Sequence, residues 1–151
     1  MGLKEEEKSK AGAAFAGNTH VKIAKMVKLG LDNDFAKAMG KSLESNETIE
    51  KIVLDSNAIT GEGIKALFSG LSKNSSVLEL QVRHQSKGMA SVDEATLLGL
   101  LEPNTTVIKM GVDVRNQLAK MGLDRKINAN REILRKQRAQ AKKAASSPKP
   151  V

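Results

Sequence analysis

Apolar side chains recur at fixed distances after four asparagines spread along this chain. The asparagines are Asn18, Asn46, Asn74 and Asn104, so the intervals between them are 28, 28 and 30 residues. In each copy the third, sixth and eighth following positions are apolar, namely Val21, Ala24 and Met26; Ile49, Ile52 and Leu54; Val77, Leu80 and Val82; Val107, Met110 and Val112. Self-similarity at one period indicates a repeat protein in which each copy is one structural unit.

The spacing within each copy is the L-x-x-L-x-L phrase of leucine-rich repeats, which forms a short strand. The second copy extends the phrase, because Asn57 supplies the asparagine that usually follows it. The equivalent positions of the other copies hold Leu29, Gln85 and Arg115. We therefore predict that an inner ladder of asparagine side chains, bonding to bare backbone at the turn, is largely missing.

Between the strand phrases lie apolar residues at helical spacing. Positions i, i+3, i+4 and i+7 share one helix face, and Thr60 with Gly61 is predicted to turn and cap the second helix. Neither half of such a unit buries its apolar face alone, so stacked units close one continuous core. The helical positions are Phe35, Met39 and Leu43; Ile64, Leu67, Phe68 and Leu71; and Leu97, Leu98 and Leu101.

The net charge is confined to the C-terminal part of the chain. Residues 1–114 contain 14 Lys and Arg against 15 Asp and Glu, whereas residues 115–151 contain 11 against 2. The segment from Leu123 to Lys143 has no Gly or Pro, which predicts a long basic helix. We expect an apolar stripe to cover the open end of the solenoid, as a terminal cap must. Its members are Leu118, Met121, Leu123, Ile127 and Leu134.

The predicted fold class is α/β, a short leucine-rich-repeat solenoid with ribonuclease-inhibitor-like strand-helix repeats. About four parallel strands are expected, with the basic C-terminal helix as their cap. Residues 1–17 are predicted to be disordered or partly helical, 18–123 to form the repeat domain, 124–143 the basic helix and 144–151 a disordered tail. A chain of 151 residues is expected to have a single core of ordinary size and to be a monomer.

Composition argues against several classes of function. The chain has no cysteine, so thiolate catalysis and Cys-ligated metals are excluded. No apolar run is long enough to span a bilayer, and residues 135–145 lack the bulky apolar side of a membrane-surface helix. Trp and Tyr are absent, so the stacking platforms typical of nucleic-acid binding are missing. We expect neither nucleic acid nor membrane as a partner.

No constellation of catalytic side chains emerges from the sequence. His20 and His84 lie at different offsets in their repeats and are not expected to meet. No paired-carboxylate or EF-hand spacing is present. We therefore expect no enzyme activity, no cofactor and no metal site. The remaining carboxylates, interpreted as solvated turn and helix residues, are Asp55, Glu62, Asp93 and Glu94.

Three runs and a tail resemble a known family. They are NTHVKIAKM from Asn18, NETIEKIVLDSNAITGEGIKALFSGLSKNSSVLELQVRHQS from Asn46, LLEPNTTVIKMGV from Leu100 and NREILRKQR from Asn130. In this order they resemble the carboxy-terminal domain of tropomodulins and leiomodins, over about residues 18–138. The most specific piece is LDSNAITGEGI, which begins at Leu54.

The resemblance implies a cytoplasmic, cytoskeletal protein that binds actin and caps the pointed ends of filaments without chemistry. It implies that the last helix contributes actin contacts, and the candidate residues are Arg131, Arg135, Lys136 and Arg138. Tropomyosin binding is not expected, because the tropomyosin-binding half that precedes the repeats in tropomodulins has only about 17 residues as its counterpart here. The alternative is a generic leucine-rich-repeat scaffold with a basic tail, which would recognise another protein through its concave strand face.

Overall fold

The computed structural model describes residues 4–146. In this range short strands alternate with helices along the chain, and each strand is followed by a helix. The strands are β1 (Ile23–Lys25), β2 (Lys51–Val53), β3 (Glu79–Gln81) and β4 (Lys109–Gly111). The helices are α1 (Glu5–Ala13), α2 (Asn33–Leu43), α3 (Gly61–Leu71), α4 (Ser91–Leu101) and α5 (Gln117–Ser146).

The four strands form one parallel sheet in the order β1-β2-β3-β4. The register places Ala24 beside Ile52, Ile52 beside Leu80 and Leu80 beside Met110. These are the sixth positions of the four copies, so the intervals of 28, 28 and 30 residues bring equivalent side chains into one row. The predicted α/β repeat solenoid is confirmed.

A ladder of asparagines joins the beginnings of the repeats. The amide nitrogen of Asn46 donates to the carbonyl oxygen of Asn18, one repeat earlier, at 3.1 Å. Its amide oxygen accepts the backbone N–H groups two and three residues further on, at 2.9 and 2.8 Å. Asn74 and Asn104 make the same bonds in their own repeats. A buried polar group needs hydrogen-bond partners for its donor and its acceptor, and the ladder supplies both to each buried asparagine. This explains why an asparagine recurs at this position of each repeat.

A second, inner ladder is more complete than predicted. Asn57 accepts the N–H of Leu31 at 3.1 Å and donates to the carbonyl oxygen of Leu54 at 2.8 Å. In the next repeat Gln85 accepts the N–H of Ile59 at 3.0 Å and donates to Leu54 at 3.0 Å. The prediction that this position is lost in the third copy is wrong, because glutamine carries the same amide one methylene further out.

The helices pack side by side on the sheet, and their apolar stripes are buried as predicted except for Leu98, which is half-buried. The approach of α2 to α3 is close, since a side chain on Gly70 would overlap the backbone carbonyl of Gly40. Thr60 stands at the start of α3, but its side chain makes no cap hydrogen bond. Its hydroxyl instead accepts from the amide of Asn33 at 2.7 Å. The predicted cap is therefore wrong, and the residue links two repeats.

Helix α1 covers the first end of the solenoid by packing on α2. Ala11 and Phe15 lie partly buried against the core. The hydroxyl of Ser42, in α2, donates to the carbonyl oxygen of Gly12 at 2.7 Å. Of the N-terminal segment predicted to be disordered or partly helical, residues 5–13 are helical, and residues 1–3 lie outside the described residues.

Candidate binding surface on the C-terminal helix

Two polar side chains accept hydrogen bonds from backbone N–H groups at and just before the start of α5. Asn116 accepts the N–H of Ala119 at 3.0 Å, as an N-cap residue does. Glu94, from α4, accepts the N–H of Arg115 and that of Asn116, each at 2.9 Å. Its side chain is buried, at 2% exposure. The interpretation of Glu94 as a solvated residue is wrong, since this carboxylate fixes the start of α5.

The first half of α5 closes the open end of the core. Leu123 and Ile127 are buried against it, and Asn130 is fully buried. Asn130 donates to the carbonyl oxygen of Val107 at 2.9 Å and to the amide oxygen of Asn104 at 3.3 Å. A helix residue thus supplies a buried donor to the last repeat, where Thr106 supplies one to the equivalent carbonyl of Val77.

The predicted capping stripe is only partly correct. Leu123 and Ile127 are buried and Leu134 is half-buried, but Leu118 is 80% exposed and Met121 is 48% exposed. The helix begins at Gln117, earlier than the predicted boundary at residue 124. Because the turn is set at 3.6 residues, residues 118 and 121 fall outside the face that the later members bury.

Beyond Leu134 the helix leaves the solenoid. Residues 135–145 are all exposed. At 1.5 Å per residue, the segment 135–146 extends for about 18 Å. Of the tail predicted over 144–151, residues 144–146 continue the helix and residues 147–151 lie outside the described residues.

Two of the four predicted contact residues are engaged within the chain. Arg131 donates through Nε to the carbonyl oxygen of Ile108 at 2.7 Å and through Nη1 to Asn128 at 3.1 Å. Arg135 donates through Nε to Glu132 at 3.1 Å. This hydrogen bond, with the positive charge of Arg135, lowers the pKa of Glu132, and the same bond raises the pKa of Arg135. Glu132 thereby offsets part of the charge that Arg135 presents.

The four predicted contact residues do not share one face of α5, because Lys136 lies apart from the other three. Arg131, Arg135 and Arg138 are spaced by four and three residues, and with Lys142 they lie within about 60° of the helix circumference. We call Arg131, Arg135, Arg138 and Lys142 the basic stripe. Lys136 is about 130° away from its centre. Both Lys136 and Arg138 are exposed, so Arg138 belongs to the basic stripe and Lys136 does not.

His20 and His84 are exposed and belong to different repeats. Among residues 4–146, no group of three or more His, Asp or Glu side chains is arranged to hold a metal ion. No helix in the same range is long and apolar enough to cross a membrane.

Stacked strand-helix repeats closed by a basic helix define this chain as a leucine-rich-repeat domain with a projecting terminal helix. The chain belongs to the tropomodulin and leiomodin family: the family described as TMOD/LMOD leucine-rich domain matches residues 6–133. Rat leiomodin-1 is 33% identical over 128 residues, which are 85% of this chain and 22% of the relative. Human leiomodin-2 is 31% identical over 130 residues, 86% of this chain and 24% of the relative. The chain therefore spans about a quarter or less of the length of these relatives.

Solved structures show the same likeness. The structure described as leiomodin-1 actin-binding site 2 superposes with a TM-score of 0.90 at 30% identity, covering 95% of this chain and 83% of that one. The C-terminal domain of Caenorhabditis elegans tropomodulin superposes with a TM-score of 0.82 at 16% identity, covering 91% of this chain and 83% of that one. At 16% identity the second likeness shows the fold.

Proposed function

We propose that this domain binds actin through the basic stripe of α5, without chemistry. The observation that supports this function is the superposition on leiomodin-1 actin-binding site 2 over 95% of the chain. In this chain the excess of positive charge lies in the C-terminal part, and residues 135–145 of α5 are exposed.

The electrostatics suit a large acidic surface such as an actin filament. A projecting row of arginines steers encounter and fixes orientation more than it adds affinity. Each exposed ion pair contributes about 0.2 to 1 kcal/mol. Arg131, the first residue of the basic stripe, is anchored to the repeats because it donates to the carbonyl oxygen of Ile108. The outer cations, Arg138 and Lys142, remain exposed.

We further propose that binding occurs at filament pointed ends, where an attached domain blocks subunit exchange. The protein would then act at the actin cytoskeleton in the cytoplasm. The concave-scaffold alternative has less support, because the concave strand face carries charges of both signs. Lys51 and Glu79 already form an ion pair across it at 3.7 Å, and it lacks the Tyr, Trp and Arg enrichment of interaction hot spots.

Co-sedimentation with actin filaments tests the binding proposal. The parent chain should pellet with filaments, and the double variant Arg138→Glu/Lys142→Glu should not. Lys22→Glu/Lys25→Glu changes the charge equally on exposed positions of the concave side and should pellet like the parent. If Lys22→Glu/Lys25→Glu lost pelleting while Arg138→Glu/Lys142→Glu kept it, the result would favour the concave-scaffold function instead.

Filament elongation tests the capping proposal separately. With barbed ends blocked and no tropomyosin present, substoichiometric amounts of the chain should slow growth at pointed ends. Unchanged growth, together with normal co-sedimentation, would show that the domain binds filament sides and does not cap.

A further inference from the structure

The outer edge of β4 is open to a further strand. In a parallel ladder the N–H and C=O of one residue point to the same side, and neighbouring residues alternate. Lys109 donates to the carbonyl oxygen of Leu78 at 3.2 Å, and Gly111 accepts from the N–H of Val82 at 2.8 Å, so both face β3. Met110, between them, directs its N–H and C=O outward. Within residues 4–146 no strand pairs with this edge.

A groove separates this edge from α5. Its volume is about 490 Å³. The helix closes one end of the groove, because Arg131 bonds to the carbonyl oxygen of Ile108 just before β4. Apolar side chains from the strand, the following turn and the helix line the groove, among them Met110, Val112, Leu123 and Ile127.

The rim of the groove is basic. Arg83, Lys109, Lys120 and Arg131 line it, against a single carboxylate in the lining, Asp124. A ligand with acidic side chains directed at this rim would meet complementary charge. Complementary charge of this kind selects partners and sets their orientation.

The charges along the sheet give the sign expected of the next strand. Lys51, Glu79 and Lys109 are register partners on β2, β3 and β4, and they point to the same face. Lys51 and Glu79 form a cross-strand ion pair at 3.7 Å. The row alternates in sign and ends at Lys109, so an acidic residue on an added strand would continue it. Opposite charges directly across two strands stabilise their pairing.

Gly111 leaves room for the rim at this edge. A side chain there would overlap the side chains of Gln81 and Arg83. Because the glycine has none, both side chains lie across the backbone of β4. The Arg83 guanidinium is thereby brought towards the open edge of the sheet.

We propose that the groove binds an extended acidic peptide segment of a partner protein, which adds to β4 as a fifth strand. Side chains alternate between the two faces of a strand. One set, which is apolar, packs on Met110, Leu123 and Ile127, and the other, Asp or Glu, faces Arg83 and Lys109. Backbone bonds to the edge supply affinity and the alternate side chains supply specificity, as in other strand-addition complexes. Residues 147–151 of this chain do not have the composition of such a segment, because they contain two prolines and a lysine.

A fluorescent peptide of nine residues, with Glu and Val in alternation, tests the proposal against the full chain. Anisotropy should show saturable binding, and the peptide with Lys in place of Glu should bind at least tenfold more weakly. Two further peptides carry backbone N-methyl groups. One is methylated at the odd-numbered residues and the other at the even-numbered residues, because the N–H groups of these two sets point to opposite sides of a strand. Methylation of the set whose N–H groups face β4 should abolish binding, and methylation of the other set should not. Binding of the unmethylated peptide should slow amide exchange at Met110. Equal binding of the two methylated peptides would overturn strand addition.

Variants place the peptide on β4 and separate it from the actin site. Lys109→Glu should weaken peptide binding by about tenfold, whereas Lys25→Glu, on the opposite edge strand, should leave it unchanged. Arg138→Glu should also leave it unchanged, and Lys109→Glu should still sediment with actin filaments. Equal weakening by Lys25→Glu and Lys109→Glu would overturn the location. A dimer of this chain that the peptide does not dissociate, or a Lys peptide that binds as tightly as the Glu peptide, would overturn the proposed occupant.

Discussion

Asn130 of the terminal helix lies 3.3 Å from the amide oxygen of Asn104, the first residue of the last repeat. This helical side chain also donates to the carbonyl oxygen of Val107, a bond that the hydroxyl of Thr106 makes to the equivalent Val77 one repeat earlier. The amide oxygen of Asn130 has no hydrogen-bond partner within residues 4–146, whereas the repeat asparagines use theirs to accept two backbone N–H groups. The ladder of repeat asparagines ends at Asn104, and the backbone N–H groups beside Asn130 are used by the carbonyls of its own helix.

Asn130→Ala should destabilise the domain by about 1 to 3 kcal/mol, because the carbonyl oxygen of Val107 loses its buried donor. Urea unfolding followed by circular dichroism measures the change. Asn128→Ala, two residues away and exposed, is the matched control and should stay within about 0.5 kcal/mol of the parent. Equal effects of the two substitutions would show that Asn130 is not a structural donor.

Glu94→Gln should also destabilise the fold by about 1 to 3 kcal/mol. Both carboxylate oxygens accept backbone N–H groups at the start of α5, and an amide offers only one acceptor. Asp93→Asn is the control, since Asp93 pairs with Lys65 at a more exposed site and should cost at most about 1 kcal/mol. Thermal unfolding of the two variants compares them. A parent-like midpoint for Glu94→Gln would contradict the role of this carboxylate.

The basic stripe predicts unequal effects of two equal charge changes. Arg138→Glu should weaken actin binding by about three- to tenfold, whereas Lys136→Glu should weaken it less than twofold. Both residues are exposed, but Lys136 lies on another side of the helix. Co-sedimentation over a range of filament concentrations gives the two affinities. If Lys136→Glu had the larger effect, the contact face would lie on that other side.

Acid should weaken the Glu132–Arg135 pair in a defined direction. The hydrogen bond from Arg135 lowers the pKa of Glu132 from its ordinary value of 4.5. The pair therefore stabilises the helix above pH 4.5, and this contribution is lost as the pH falls through the lowered pKa. In an NMR titration of the carboxyl carbon, Arg135→Ala should raise the pKa of Glu132 towards its ordinary value. Lys142→Ala, further along the helix, should leave it where it is.

Two truncations should separate folding from binding. Removing residues 136–151 should leave the stability near that of the parent, because residues 136–145 are exposed, and should abolish actin binding. Removing residues 124–151 should cost about 3 to 5 kcal/mol, since Ile127 and Asn130 are lost from the core. Denaturant unfolding and co-sedimentation of both chains measure this. Filament binding by the shorter truncation, which ends at Arg135, would move the actin site onto the repeats.

The repeat architecture could be predicted from the sequence because a local pattern of an asparagine followed by apolar residues marks each unit. Val21, Ile49, Val77 and Val107 keep one offset from an asparagine, and a period of that kind fixes which residues stack. The position of the net charge followed from counting alone. The four candidate contact residues, Arg131, Arg135, Lys136 and Arg138, came from the resemblance. The structure adds that Arg131 is anchored and that Lys136 lies away from the others, whereas Lys142 lies on their face.

Other features depend on residues that are distant in the chain. Glu94 reads as an ordinary first-turn carboxylate, but it is buried because Arg115 and Asn116 bring their N–H groups to it. Leu118 reads as a capping residue, but the start of α5 turns it to the surface. Neither outcome can be read from spacing, since each depends on where two elements meet.

The sequence by itself determined the period, the strands and helices of each repeat and the segregation of charge, because these follow from local pattern and composition. Only the tertiary structure decided how the solenoid ends. Docking of α5 buries Asn130, exposes the basic stripe and leaves the edge of β4 open beside a basic groove, and the physical reason is that a helix covers the core without pairing with the sheet.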